Sequence, residues 1–373
     1  MFQEKLPLLF EQLGKSDLAV IAKNGTFPNR KVESWKYTPV QNIQIEEIHS
    51  KVKNLPFEGI LLNEQTSFEG LSISFESANF PQKDIFDEFA KDSFQKVLVV
   101  KISRKFKSEL PLIWVHQPTS VSTDILKLVV EEGAIVNLVE LYQGNHQLAL
   151  TYSNILVEKN AVLNHFQFQF DGFEAGMPQV LSKIYTQQHA HSTYQHTVLT
   201  FDGNWIRNEL NVTHLGEHLF TGMNGLYVAD GTRLVDNHTN LEHAQPNGES
   251  SEFYKGIAMD RGQAVFNGRI HVFQDAQKTN AFQNNQNLLL SNEAQINAKP
   301  QLEIFADDVK CSHGATVGRL RQEEIFYLQS RGLSKEIATQ LLTNAFGAEV
   351  IEKIENETLR SYCLAAWNKK MGV

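Results

Sequence analysis

Cysteine is almost missing: the 373 residues include two, Cys311 and Cys363. Two thiols make no disulfide framework, which points to a reducing compartment. The N-terminal MFQEKLPLLFEQLGKSDLAVIAKNG holds acidic residues and no unbroken apolar run ahead of a small-residue cleavage site, so no signal peptide is read there. Long hydrophobic runs are absent too, and no window reaches the roughly 18 apolar residues of a membrane span. The expectation is a soluble, cytoplasmic protein. Positive charge is in the minority, with 34 Lys and Arg against 43 Asp and Glu and a net charge of −9. That balance excludes the basic footprint of a nucleic-acid binder. The basic run Lys101–Lys107 (KISRKFK) reads as a solvated strand or loop. No CxxC, GxSxG, HExxH, Walker A or GxGxxG pattern occurs, so no common catalytic or nucleotide-binding class is signalled.

What is present is apolar material, 42% of the chain, enough for a large core. Residues 2–23 show three- and four-residue apolar spacing around a break at Gly14–Asp17, which predicts helix. A Pro-bounded connector, Phe27–Val40 (FPNRKVESWKYTPV), carries Trp35 and Tyr37 and reads as a tether packed on the body by its aromatics. Short strands at Leu71–Phe75 and Val97–Val100 flank a predicted helix over Lys83–Phe94.

From about Val121 to Val317 short β-prone runs follow one another, separated by Gly, Asn and Asp. Within Asn164–Phe170 (NHFQFQF) the alternation puts Phe166, Phe168 and Phe170 on one face and Gln167 and Gln169 on the other. A sandwich, a barrel or propeller, or a β-helix could absorb so many strands. Loosely similar segments begin at 133, 160, 231, 262, 292 and 307, and this favours a solenoid of stacked coils. Gln283–Asn287 (QNNQN) is assigned to a coil corner with stacked amides. The predicted organisation is mostly β, with a mixed helical region over 1–100, a parallel β-helix over 101–320 and a helical region over 321–373.

After Gly318 the helical period returns. One helix covers Gln322–Arg331, with Gly332 as its C-terminal stop. Ser334 caps a second, whose stripe of Ile337, Ala338, Leu341, Leu342, Ala345 and Phe346 is ended by Gly347. A third spans about Val350–Trp367. These helices either cap the solenoid or offer an apolar surface to a partner.

Cys311 and His313 form the single Cys-x-His pair. On a strand, residues i and i+2 share a face, so the two side chains project together with Ser312 opposite. Thiolate and imidazole suit zinc, copper or iron–sulfur species, but a closed structural site takes four ligands. The pair is therefore either ordinary packing or half of a site completed from outside. Cys363 reads as helix core. Twelve of the thirteen histidines lie between 116 and 313. His189, His191 and His196, then His214 and His218, then His238 and His243, resemble ligand pairs but are read as stacked surface residues. Glu242 and His243 could form a catalytic pair, yet no nucleophile stands at a fixed offset. Asp230, Asp236 and Glu242 would serve a β-helix carbohydrate-active enzyme, the alternative function.

The run DDVKCSHGATVGRLRQEEIFYLQSRGLSKEIATQLLTNAF resembles the C-terminal signature of the SufB/SufD family of iron–sulfur cluster assembly scaffolds. NHTNLEHAQPNGESSEFYKGIAMDRGQAVFNGRIHV, the QKTNAFQNNQNLLLSNEAQINAKPQLEIFADDV that follows it, and ESWKYTPV near the N-terminus are similar to that family as well. KCSHGATVG looks like the SufD form, where the SufB form carries a Glu-containing EHEAT variant. The resemblance implies a right-handed parallel β-helix and a non-catalytic scaffold subunit. It implies pairing with SufB through the solenoid end near 307–317, and binding of the ATPase SufC through helices about 321–367. A nascent iron–sulfur cluster or iron would be shared with the partner chain, with none held tightly by the isolated chain. His313 matches the family's histidine at that interface, with Cys311 beside it as a weaker candidate. A homodimer of the isolated chain is a further expectation.

Overall fold

The computed structural model describes residues 2–12, 16–43, 55–76, 84–93, 97–116, 121–142, 148–170 and 178–372. Eighteen strands run along it in chain order. They are β1 (Ile60–Leu61), β2 (Leu71–Glu76), β3 (Val97–Ile102), β4 (Leu112–His116), β5 (Val121–Val130) and β6 (Ile135–Tyr142). Then come β7 (Leu148–Val157), β8 (Val162–Gln169), β9 (Gln179–Gln188), β10 (Thr193–Thr200), β11 (Trp205–His214) and β12 (Phe220–Ala229). The last six are β13 (Leu234–His243), β14 (Glu249–Ala258), β15 (Gln263–Val272), β16 (Asn280–Leu289), β17 (Gln295–Ile304) and β18 (Lys310–Gly318).

From β3 onward, consecutive strands do not pair with each other. The even-numbered strands from β4, with β1, make one nine-stranded sheet, and the odd-numbered strands from β3, with β2, make the other. Every pairing is parallel except β2 with β3. Each turn of chain thus lays one strand on each sheet, giving a parallel β-solenoid of about seven turns. Side chains hydrogen-bonded across neighbouring turns lie 27, 29 or 31 residues apart. That is the true repeat behind the loosely similar segments. Gly133 and Gly231 take positive φ at turns, a conformation glycine adopts without steric cost.

The two sheets enclose an apolar core that includes Leu128, Leu138, Val198, Ile206, Val235 and Ile270. A polar belt is set into it. Glu140 is fully buried and accepts from His165 Nε2 (2.9 Å), Gln167 Nε2 (3.0 Å) and Ser153 Oγ (3.1 Å). Its Oε2, which also accepts from Gln167, lies 3.3 Å from His116 Nε2. Burial works to raise the Glu140 pKa, but bonds and charge from His116 and His165 hold it well below the usual carboxylate range.

This belt explains the alternation in β8. Gln167 and Gln169 face inward, where Gln167 reaches Glu140 and Gln169 reaches Asn208 (2.8 Å). The phenylalanines face outward and are covered by helix. QNNQN lies in the middle of β16, not at a corner. Gln283, Asn285 and Asn287 are buried and point into the solenoid, so the amides ladder along its interior.

Each outer face carries an apolar patch where helices cover it. Helices α1 (Phe2–Gln12), α2 (Ser16–Asn24) and α3 (Ile85–Ser93) form a cluster with Leu150, Tyr152, Leu181, Trp205 and Leu234 on the odd-numbered sheet. Gly14 and Lys15 of the predicted break, and Lys83 and Phe94 of the predicted helix, lie outside the described residues. The tether holds on as its aromatics suggest, mainly through Trp35. That ring stacks on Phe86 (5.5 Å) and Trp205 (6.4 Å), and the Arg207 guanidinium lies 4.1 Å from its centre. Tyr37 stays exposed.

Helices α4 (Gln322–Ser330), α5 (Lys335–Ile351) and α6 (Glu357–Met371) follow the solenoid. Val350, Ile351, Ile354, Leu359, Cys363 and Trp367 pack on Phe168, Phe201, Leu226 and Ile257, on the outer face of the even-numbered sheet. They do not stopper the end of the solenoid. Ser334 caps α5 as expected, its Oγ accepting from Ile337 N at 3.2 Å. Gly347 does not stop that helix. It lies within α5, where a Cβ would sit 2.2 Å from Trp367 Cζ2, so glycine is what lets α6 approach. Chain reversal comes later, and Asn356 caps α6 by accepting from Leu359 N at 3.0 Å.

Candidate functional site

The solenoid ends on β17 and β18, each the last strand of its sheet. Among the described residues no strand or helix pairs with their outer edges, which leaves two parallel rows of backbone donors and acceptors open. Burial falls accordingly: β15 and β16 are mostly covered, whereas eight of the nine residues of β18 are exposed. Phe305, Phe282 and Val317 add exposed apolar surface at the same end (61%, 51% and 45%). Monomeric proteins rarely leave an edge of this kind bare, because it templates pairing with another chain.

Cys311 and His313 lie on this last rung. Register pairs Ala281 with Cys311 and Gln283 with His313. Because Ala281 and Gln283 point inward, Cys311 and His313 share the inward face, as their spacing predicts. Cys311 is half-buried against the apolar core. Burial pushes its thiol pKa up, and a backbone hydrogen bond at Ala281 opposes that. His313 is exposed at the open mouth of the solenoid. A polar column runs inward beneath it. Gln283 Nε2 donates to Glu252 Oε2 (2.7 Å), and Thr239 Oγ1, on the opposite sheet, donates to Glu252 Oε1 (2.5 Å). Burial pushes Glu252 up to about 7, against the pull of those two donors. Chemically the mouth offers one borderline nitrogen ligand and one sulfur ligand. Among the described residues no group of three or more His, Cys, Asp or Glu could hold a metal ion. A four-ligand site at this mouth needs ligands from elsewhere.

Among the described residues the other histidines form no group that could hold a metal ion, and several are not surface residues. His196, His214 and His243 are buried inside the solenoid. His214 and His243 pair through Nε2 with Thr221 (2.7 Å) and Ser250 (2.9 Å), and burial keeps both pKa values down, His243 at about 4. His191 and His218 do stack at a turn, ring centres 5.3 Å apart. Glu242 and His243 are consecutive on β13 and face opposite sides, so they are no catalytic pair. Asp236 is fully buried between Arg207, Thr38 and His238, and is unavailable as an acid or base. Sequence reasoning missed Glu140 and Glu252. The signal was there in principle: an acidic residue on the same face as His or Gln about one turn away.

A sequence profile described as "SUF system FeS cluster assembly, SufBD core domain" matches residues 114–346. The chain belongs to the SufBD family. This SufBD chain is 31% identical to the iron-sulfur cluster assembly protein SufD of Escherichia coli, over 92% of its own length and 89% of that protein. It is 35% identical to the chloroplastic protein ABCI7 of Arabidopsis thaliana over 64% of its length and 51% of the relative. A SufBD family protein of Synechocystis is 34% identical over 71% of this chain and 61% of its own. The profile covers the solenoid from β4 onward, its open end and most of α5, so Cys311 and His313 both fall inside the matched region. The resemblance in KCSHGATVG and the flanking runs is thereby upheld at the level of the family.

Proposed function

We propose that this chain is a SufD-like, non-catalytic scaffold subunit of an iron–sulfur cluster assembly complex, and that its open solenoid end binds a SufB-type partner. The supporting observation is the bare last turn: two unpaired parallel strand edges, flanked by exposed aromatics, with His313 and Cys311 on the inward face between them. The nascent cluster, or iron on its way to it, is the cargo. His313 supplies one ligand from this side, Cys311 is its companion, and the remaining ligands come from the partner. Burial holds the Cys311 proton on, so His313 is the better first ligand.

The ATPase SufC would bind at α4 and α5. Phe326, Tyr327, Ile337 and Leu341 are exposed there (72%, 57%, 46% and 40%). Movement driven by ATP would then be felt at the last turn, because α4 follows β18 after a three-residue link, Arg319–Arg321. Against the alternative of a β-helix carbohydrate-active enzyme, Asp236, one of its three acids, is locked in a buried ion pair with Arg207.

The test is co-expression with SufB- and SufC-type partners. His313→Ala should abolish cluster build-up while both partners still co-purify. Full cluster assembly by that variant would sink the assignment. Light scattering of the chain alone should show self-association through the same edge, displaced by the SufB-type partner.

A further inference from the structure

A histidine that binds a metal through one ring nitrogen is nearly always oriented by a hydrogen bond from the other, which it donates to a carbonyl or carboxylate. At the mouth of the solenoid one acceptor meets that need. Gln283 sits on β16 directly in register with His313, one strand spacing (about 4.8 Å) below it and on the same inward face. Its amide is fixed. Nε2 donates to Glu252 at 2.7 Å, and Gly268 on the opposite sheet leaves room for that nitrogen, since a Cβ there would lie 2.4 Å from it. With Nε2 committed to Glu252, the other amide atom is left over. Gln283 Oε1 is buried and has no hydrogen-bond partner.

A buried amide oxygen without a donor is costly, so native proteins seldom leave one in place. Candidate donors around it are few. The residue in register with Gly268 on the last rung is Pro300, which carries no N–H. Cys311 lies over Ala281, one inward position away. His313 is the side chain on the neighbouring rung with an N–H to give.

We infer that Gln283 is the positioning residue for His313: its side-chain oxygen accepts from one ring nitrogen of His313 while the other ring nitrogen binds the cargo iron. Thr239 and Glu252 act behind it as the support that keeps the amide oxygen turned toward the mouth. This rests on His313 being a ligand, as proposed above.

The experiment uses the complete complex with SufB- and SufC-type partners, with this chain alone carrying 15N-histidine. The cluster is built anaerobically, reduced by one electron and read by pulsed electron paramagnetic resonance. The wild type should show a strong coupling from the bound ring nitrogen and a weak one from the remote nitrogen. Gln283→Met should keep the strong coupling, change the remote nitrogen's parameters, and release iron to a chelator about tenfold faster or more. Gln283→Glu keeps an oxygen acceptor and should restore both readings. Remote-nitrogen parameters unchanged in Gln283→Met would overturn the inference with His313 still a ligand. Absence of any histidine coupling in the wild type would overturn the ligand assignment itself. If Gln283→Met holds no cluster, Gln283→Glu decides. Recovery of the cluster with wild-type couplings supports the inference, and failure to recover in a chain of unchanged melting temperature overturns it.

Discussion

Gly347→Ala sets two magnitudes against each other. In an exposed helix interior the change should stabilise by about 1 kcal/mol, because glycine is the poorer helix former. Here the new methyl would fall 2.2, 2.6 and 2.8 Å from Trp367 Cζ2, Cε2 and Cη2. A tryptophan ring cannot yield at one atom, and its Nε1 is held by Asn344 O at 3.0 Å. Displacing it costs about 1–3 kcal/mol of overpacking and about 1 kcal/mol for the strained hydrogen bond. The packing penalty exceeds the helix gain, so α5 and α6 should be loosened by about 1–3 kcal/mol. Solenoids need not unfold in one step, so the assay is amide hydrogen exchange over residues 335–371, where the variant should open about tenfold or more faster than the wild type. In a Trp367→Phe background the contacted atoms are gone, and the same Gly347→Ala change should be neutral or favourable. Equal or slower exchange in the single variant would refute the packing argument, and an identical penalty in both backgrounds would show that Trp367 is not its cause.

Glu252 gives a pH signature. Its folded pKa of about 7 stands above the usual 4.5, so the native state binds the extra proton between those values and stability falls as pH rises through that window. The contribution is about 3 kcal/mol at most, and Glu252→Gln should flatten it in urea titrations run from pH 5 to 8. Identical pH slopes would count against a neutral buried carboxyl. Arg207→Met takes the cation from the buried Asp236 carboxylate, leaving it Thr38 and His238, and removes the bond to Ser34 O (2.8 Å), at a cost of about 3 kcal/mol. Trypsin should then cut the tether at Lys31 or Lys36 faster than in the wild type, and an unchanged cleavage rate would argue against the latch. Replacing exposed Phe326 and Tyr327 together with Ser should change stability by less than about 0.5 kcal/mol. It should abolish co-purification of the SufC-type partner while the SufB-type partner stays bound, and retention of both would place the ATPase elsewhere.

Much of this is legible in the sequence. Strand content, the helices at both ends, the tether's aromatics and the shared face of Cys311 and His313 all follow from local periodicity, because a strand of period two and a helix of period 3.6 write themselves into consecutive residues. Where reading failed, the deciding partner lay a full turn or more away. Gly347 looked like a stop because its neighbour, Trp367, is on another helix. QNNQN looked like a corner because amides inside a solenoid are tolerable only when the next turn supplies their bonds.

The sequence by itself determined that this is a β-rich chain with a Cys-x-His segment at the boundary between strands and helices, and its motifs carried the family. Only the tertiary structure decided which face of each strand is interior. Phe166 to Phe170 could have lined the core, and instead they lie under α6, while Gln167, Gln169, Glu140 and Glu252 take the inside. Alternation marks two faces without saying which of them is buried in which company. That choice is made by the closed solenoid, where inward polar groups find partners on the facing strand or on a neighbouring turn. At β18 no further turn follows among the described residues, and His313 is left at the mouth with the interior's unfinished hydrogen bonding beneath it.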